Sequence, residues 1–369
     1  MSLGIGIVGL PNVGKSTLFN ALIGAAQAQA ANYPFCTIDP NVGVVPVPDV
    51  RLRQLSALFK PKKTTPTTLE FVDIAGLVAG ASKGEGLGNQ FLSHIRQVDA
   101  IGHELRCFDD PDVVHVAGSV DPRSDRDVVE TELMLKDIES IERRQERTQK
   151  STKAAGKAGE LAKAELAVLD KVRAGLDQGK PVRAIQISAD ERALIQDLFL
   201  LTGKPVLYIA NVSELELAQP DNAKVAAVRA LAAEEGAPMV VISGKVESEL
   251  NELPEAERGE YLKSLGLEEP GLDRLVHAGY KLLGLMTYFT AGEDECRAWT
   301  IRVGTTAPKA AGVIHTDFER GFIKAEVIRL QDLLAFGTES AVREKGLLKI
   351  EGKEYVVQDG DVMHFRFNV

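Results

Sequence analysis

The segment at residues 9–16 limits most strongly what this chain can fold into. An apolar, strand-like run leads into Gly9 and Gly14, and Lys15 and Ser16 follow at once, which fits the pattern G-x-x-x-x-G-K-S/T. In that motif, backbone N–H groups at the start of a helix surround phosphate oxygens, and the glycines allow an approach that a Cβ would block. The order of strand, loop and helix predicts an α/β fold with a nucleoside triphosphate site.

Three side chains of this loop have roles that follow from their chemistry. Lys15 supplies a positive charge between the β- and γ-phosphates, Ser16 offers a hydroxyl group to Mg²⁺, and Thr17 can add a phosphate contact. The predicted phosphate-binding segment consists of Asn12, Val13, Gly14, Lys15, Ser16 and Thr17.

Two later segments provide what a phosphate-dependent switch requires. Thr37 lies in a proline-punctuated loop and is the candidate that closes on Mg²⁺. Asp73 and Gly76 form D-x-x-G at the end of an apolar run, so Asp73 can support the metal through a water molecule and the Gly76 amide can sense the γ-phosphate. The predicted metal-binding set is therefore Ser16, Thr37 and Asp73. The glycine-rich segment 80–88 is expected to be a mobile switch loop.

The segment expected to bind the base departs from the guanine-reading pattern N-K-x-D. Asn211 is present, but Val212 stands in place of the Lys and Glu214 in place of the Asp. Adenine has no N1–H or 2-amino group for an acidic side chain, whereas an Asn amide can pair with its N6 and N7 atoms. ATP is therefore the expected substrate, and a degenerate motif that still prefers GTP is the alternative. Ser243 and Gly244 end another apolar run and are expected beside the base.

Composition excludes some classes of protein. The 369 residues include 43 Lys+Arg and 53 Asp+Glu, so any contact with nucleic acid must come from a local basic patch. Three widely separated cysteines fit a reducing compartment and neither a disulfide framework nor a zinc site. With no signal peptide and no apolar run that could span a bilayer, the sequence predicts a cytoplasmic protein without a membrane contact.

Alternating strands and helices predict a doubly wound, mostly parallel sheet in residues 1–281. Long helical periods within about 124–203 indicate an inserted helical hairpin, and short β runs in 282–369 indicate a small α+β domain. The hairpin tip is basic, and it is either a solvated face or an RNA-facing surface. Its basic residues are Arg143, Arg144, Arg147, Lys150, Lys153, Lys157 and Lys163.

Over essentially its whole length, the chain resembles the Obg-like ATPase (YchF) family. The segments that carry this resemblance are 9–20, 32–41, 73–78, 80–89 and 211–214. The resemblance implies a P-loop G domain with a helical insertion and a C-terminal β-grasp domain of the TGS type. It also implies hydrolysis of ATP in preference to GTP, and ribosome binding. Glu104 and Gly244 depart from the family pattern, which usually has an apolar residue and a Ser-Ala pair at these places.

Hydrolysis also requires a group that orients the attacking water. Leu77 follows D-x-x-G and cannot replace the Gln that has this role in Ras-type enzymes. The resemblance implies that His115 does so, and an imidazole can both donate and accept a hydrogen bond. The predicted catalytic groups are His115, Lys15 and Gly76, in an ATP-hydrolysing switch that uses Mg²⁺. A nucleotide-gated module that binds RNA or the ribosome, with incidental hydrolysis, is the alternative.

Overall fold

The structure is a computed structural model that describes residues 3–30, 41–74, 94–111, 113 and 118–368. These residues form two compact units. The first unit contains 3–24, 41–43 and the described residues between 70 and 275. The second contains 25–30, 44–69 and 276–368.

The first unit is built on a six-stranded sheet. Its strands are β1 (Gly4–Val8), β2 (Val42–Pro46), β4 (Thr68–Asp73), β5 (Ala100–Arg106), β6 (Val206–Asn211) and β7 (Met239–Ile242). Residues 44–46 of β2 and 68–69 of β4 are assigned to the second unit. They lie in the order β2-β4-β1-β5-β6-β7, and the pairings of β1 with β4 and β5, of β5 with β6 and of β6 with β7 are all parallel. This confirms the predicted doubly wound sheet. The carboxyl ends of β1, β5 and β6 consequently lie at one edge, where ligands bind in such folds.

Helices cover this sheet and account for most of the remaining regular structure in the described part of the first unit. They are α1 (Lys15–Ala30), which runs on into the second unit, α3 (Pro122–Ser151), α4 (Lys157–Asp177), α5 (Ala189–Ile195), α6 (Ala223–Glu235), α7 (Gly244–Glu252), α8 (Glu255–Ser264) and α9 (Gly271–Leu282), which also crosses into the second unit. Residues 94–97 are helical as well. The buried strands β1, β5 and β6 have no alternation of polar residues because helices pack on both faces of a parallel sheet.

The predicted helical insertion is present as the antiparallel pair α3 and α4. A separate apolar core, which includes Ile141, Val168, Leu169 and Val172, fills the space between the two helices. Asp137 on α3 is buried and accepts hydrogen bonds from Leu201 N at 2.7 Å, Thr202 N at 2.8 Å and Thr202 Oγ1 at 2.7 Å. The hairpin is thereby fixed to the segment that leads into β6.

The second unit is an α+β domain with a sheet of its own. Its strands are β3 (Lys63–Thr65), β8 (Leu285–Thr290), β9 (Glu295–Arg302), β10 (Phe322–Arg329), β11 (Lys349–Glu351) and β12 (Asp361–Phe367), in the order β11-β10-β12-β8-β9-β3. Its helices are α2 (Val50–Phe59), α10 (Ala307–Ile314), α11 (Thr316–Arg320), α12 (Leu330–Phe336) and α13 (Glu339–Glu344). No helix in the described ranges is long and apolar enough to cross a membrane.

Two sequence-based expectations about the second unit require correction. The division into 1–281 and 282–369 placed residues 44–69 in the first domain, but they belong to the second unit. The reason is that β3 pairs in parallel with β9, and Leu52 and Leu55 of α2 are buried in the core of that unit. The short β runs that the sequence indicates in 282–369 include one at 354–357, and this expectation is wrong, because these described residues form a single bridge, between Thr306 and Val356, and no strand.

Candidate functional site

The loop between β1 and α1 has the backbone conformation that its glycines predict. Asn12 and Gly14 both have positive φ, 65° and 113°. An added Cβ on Gly14 would collide with Asn211 Nδ2, and one on Gly9 would lie 2.8 Å from Glu104 O. The first bond of α1 runs from Leu18 N to Gly14 O at 3.0 Å, so the preceding N–H groups have no helical acceptor. The loop is therefore suited to accept an anion at a helix N-terminus.

Lys15 and Asp73 meet at this edge of the sheet. Lys15 Nζ donates to Asp73 Oδ1, and the two side chains are only 10% and 22% exposed. Ser16 and Thr17, in the first turn of α1, are exposed, so their hydroxyl groups are accessible to a ligand. A phosphate group that binds here competes with Asp73 for the ammonium group. Such an exchange links occupancy of the loop to the end of β4.

Asn211, at the end of β6, joins three segments of the site. Its Nδ2 donates to Val13 O at 2.9 Å and to Glu104 Oε1 at 3.0 Å, while its Oδ1 accepts from Gly244 N at 3.1 Å. The side chain is 4% exposed, and both amide hydrogens are used in these bonds. Reading of adenine by the Asn211 amide stays a prediction, and it would require these bonds to be exchanged.

Glu104 of β5, which departs from the family pattern, lies directly beneath the loop. The side chain is completely buried, and its Oε2 has no hydrogen-bond partner among the described residues. Burial raises the pKa of this carboxyl group to about 8, although the bond from Asn211 and the charge of Lys15 oppose that shift. The group is therefore protonated near neutral pH.

The expected base-binding segment contains an ion pair that the sequence analysis missed. Glu214 Oε2 accepts from Lys245 Nζ at 3.1 Å, and Lys245 is the residue after Gly244. Val212 is buried, whereas Leu215 is 84% exposed. Ser243 is buried and its Oγ has no hydrogen-bond partner in the described part of the chain. The structure thus brings Asn211 next to Gly244 and pairs the Glu214 carboxylate with a cation. That these segments contact the base stays a prediction.

Three predicted site residues, Thr37, Gly76 and His115, lie outside the described residues. The segment before His115 is described as far as Val113, and a buried arginine holds it. Arg106 donates to Phe108 O at 3.1 Å, to Val113 O at 3.0 Å and to Asp110 O at 3.2 Å. An Arg at the end of a buried strand was a visible signal for such a role.

The described residues supply some of the oxygen ligands that a Mg²⁺ ion requires. Ser16 and Asp73 carry the hydroxyl and carboxylate oxygens that Mg²⁺ prefers, next to the loop that is shaped for phosphate. Across the described ranges, no group of three or more His, Cys, Asp or Glu residues could hold a metal by itself. In phosphoryl-transfer sites Mg²⁺ usually takes further ligands from the nucleotide and from water.

Comparison with known proteins gives full-length similarities. The chain is 55% identical over 370 residues to "Ribosome-binding ATPase YchF" of Bacillus subtilis, with all of both chains covered. It is 56% identical to the protein of the same name from Haemophilus influenzae, again with all of both chains covered. "Obg-like ATPase 1" of Caenorhabditis elegans is 46% identical, over 100% of this chain and 92% of that protein.

Family models and a solved structure agree with these similarities. Residues 4–118 match a family described as "50S ribosome-binding GTPase". Residues 285–368 match YchF-GTPase_C, described as a protein of unknown function (DUF933). The structure of the YchF GTPase of Schizosaccharomyces pombe aligns with a TM-score of 0.90 at 42% identity, and the alignment covers 99% of this chain and 98% of that one.

Proposed function

This chain belongs to the YchF family, and from that premise we propose that it is an ATP-hydrolysing switch that associates with the ribosome. The observation that carries the proposal is the loop from Gly9 to Ser16, whose positive-φ residues and free helix N-terminus form an anion site beside Lys15. Backbone N–H groups of this loop bind the β-phosphate, and Lys15 leaves Asp73 to bind between the β- and γ-phosphates.

The proposed site uses Mg²⁺, held by Ser16 and Thr37 and, through water, by Asp73. When bound there, Mg²⁺ would supply positive charge that neutralises the β- and γ-phosphates. The chain's own contribution is to fix the phosphates with the loop amides and Lys15, and to signal γ-phosphate occupancy through the Gly76 amide. His115 orients the attacking water. These assignments for Thr37, Gly76 and His115 rest on the sequence motifs and on the family resemblance.

For the base, the Glu214–Lys245 ion pair supports a preference for ATP. A carboxylate reads guanine by accepting from N1–H and the 2-amino group, and here Lys245 engages the carboxylate at 3.1 Å. Adenine has neither of these donors, so the ion pair between Glu214 and Lys245 does not weaken adenine binding.

We expect Val212→Lys combined with Glu214→Asp to move the preference toward GTP, because these changes restore the guanine-reading pair. Competition binding of ATP and GTP measures the ratio of their affinities, with Ser213→Ala as a control in the same segment. We expect a change of about tenfold, the scale of one base-reading hydrogen-bond pair. A wild-type affinity for GTP equal to that for ATP would contradict the proposed preference itself.

The second unit and the hairpin tip are the proposed ribosome contacts. The second unit contains the region matched by the YchF-GTPase_C model, and we assign it as the TGS-type β-grasp domain. The contact is to the large subunit or to the whole ribosome, and the proposed location is the cytoplasm.

Co-sedimentation with ribosomes, with ATP, ADP or no nucleotide, tests this association. Turnover with and without ribosomes distinguishes a switch, which the ribosome stimulates, from a nucleotide-gated module, whose rate stays the same.

At the hairpin tip, the structure narrows the set of basic residues available to RNA. Arg144 is half-buried and pairs with Glu165 at 2.5 Å and with Asp197 at 2.9 Å. These two carboxylates neutralise its charge, so Arg144 is less available to bind RNA. The exposed basic residues nearest the turn between α3 and α4 are Arg147, Lys150, Lys153 and Lys157.

Reversing these four residues to Glu should weaken ribosome binding by about 10-fold or more and flatten its dependence on salt, because fewer counterions are released. The matched control reverses four exposed basic residues of the first unit that lie away from the tip: Lys180, Arg192, Arg229 and Lys263. Equal effects of the two quadruple variants would show that the tip acts only through net charge.

A further inference from the structure

Glu104 lies where the phosphate-binding loop, β5 and β6 meet, and no step of the proposed reaction uses it. The residue is 0% exposed, and an ideal Cβ on Gly14 would be 3.0 Å from its Oε1. A buried acid next to a site for anionic phosphates is unfavourable for binding if it is charged, and it is costly for the fold if it lacks partners. An acid at this position is therefore expected to have a function that offsets these two costs.

The hydrogen bonds of the Asn211 side chain indicate the function of Glu104. The Asn211 amide can be placed in two orientations, and its neighbours select one of them: Glu104 Oε1 accepts from the nitrogen, while Gly244 N donates to the oxygen. In this orientation the second hydrogen of Nδ2 reaches Val13 O at 2.9 Å. Glu104 thereby determines which end of the amide faces the loop.

The bond to Val13 O orients the peptide group that the phosphate needs. In a trans peptide, the C=O of Val13 and the N–H of Gly14 point in opposite directions. Because Asn211 draws the Val13 oxygen toward the sheet, the Gly14 N–H points away from the sheet, to the side on which an anion binds.

We propose that Glu104 is a positioning residue for the nucleotide phosphates, acting through Asn211 to hold the Val13–Gly14 peptide with its N–H directed at the ligand. The inference rests on the proposed function, because it requires that the loop binds a nucleotide. It adds to that function a residue that the sequence pattern of phosphate-binding loops does not contain.

The pH dependence follows from the charges around the group. Lys15 of α1 lowers the pKa of Glu104 and Asp73 of β4 raises it, while burial has the largest effect and brings it to about 8. A bound nucleotide adds negative charge nearby and raises the pKa further, so binding above pH 8 takes up a proton. Affinity should therefore be constant below the pKa of the free protein and fall as the pH rises through it.

The test measures binding of ADP and of a non-hydrolysable ATP analogue by calorimetry, with Mg²⁺, in the full chain. Glu104→Leu removes the acceptor for Asn211 and should weaken binding about tenfold at pH 7, the effect of leaving a buried amide N–H unpaired. Glu104→Gln keeps an acceptor and should bind as the wild type does at pH 7. Between about pH 7 and about pH 9, the wild type should lose about tenfold in affinity and Glu104→Gln should lose none.

Each result supports or overturns the inference. Wild-type affinity in Glu104→Leu overturns it, as does weak binding by Glu104→Gln at pH 7, or an equal fall with pH in Glu104→Gln and the wild type. A wild-type profile that stays flat over this range also overturns it. If Glu104→Leu does not fold, the comparison of Glu104→Gln with the wild type decides the matter alone. Failure of the wild type to bind either nucleotide contradicts the proposed function instead.

Discussion

Replacing Lys15 with Ala is expected to lower kcat/KM for ATP by at least about 10³-fold, the scale for losing a preorganised group that stabilises charge on the transferred phosphoryl. Lys15 is the residue whose ammonium group lies at the loop, where it donates to Asp73 and is 10% exposed. Without it, the γ-phosphate loses a positive charge in both the ground state and the transition state, so nucleotide affinity should fall as well.

Single-turnover hydrolysis and equilibrium binding measure the two effects of Lys15→Ala separately. Lys180→Ala, which changes an exposed lysine just after the end of α4, is the control and should behave as the wild type. Turnover by Lys15→Ala at the wild-type rate would show that the phosphate-binding loop does not take part in hydrolysis as proposed.

His115→Ala gives a useful contrast in the same assay. If His115 orients the attacking water, its loss should reduce the single-turnover rate by about 10²-fold and leave affinity nearly unchanged, because the contact is made only in the transition state. A wild-type rate from this variant would assign the imidazole a structural role. Hydrolysis would then depend on the loop, the metal or the ribosome alone.

The second large effect is on stability. Asp137→Ala should destabilise the packing of the hairpin by about 3–5 kcal/mol, because three buried donors of Leu201 and Thr202 lose their acceptor together. Native-state hydrogen exchange of the amides of α3 and α4 reports the free energy of local opening, which suits a chain of two units better than a single unfolding midpoint.

Two variants on the same helix bracket the effect of Asp137→Ala. Asp137→Asn keeps one acceptor oxygen and should give an intermediate loss of stability. Glu146→Ala changes an exposed residue of α3 and should cost almost nothing. Equal protection in Asp137→Ala and Glu146→Ala would show that the three hydrogen bonds do not anchor the hairpin.

The sequence by itself determined the elements whose signals are local. A phosphate loop needs glycines at fixed spacing, so Gly9 and Gly14 could be interpreted without any tertiary information. Buried parallel strands such as β6 are continuous apolar runs, and the long helical periods of α3 and α4 are visible over many residues. For the same reason the alternation of strands and helices and the presence of an insertion were both predicted.

Tertiary structure alone decided the features that depend on contacts between distant residues. Residues 44–69 join the second unit because the edge of its sheet accepts β3, and no local pattern reports which edge a three-residue strand will find. Lys245 and Asp137 are ordinary charged residues in the sequence, and only the fold places them against Glu214 and Thr202.

Glu104 illustrates both what the local sequence reveals and what only tertiary contacts decide. The sequence marked it as an acid where similar proteins usually have an apolar residue, which is a real signal because a buried charge is costly without compensation. The partner that explains it, Asn211, is 107 residues away and lies beside it only because β5 and β6 pair in parallel. Local chemistry could therefore show that the position was unusual, while strand pairing decided what it does.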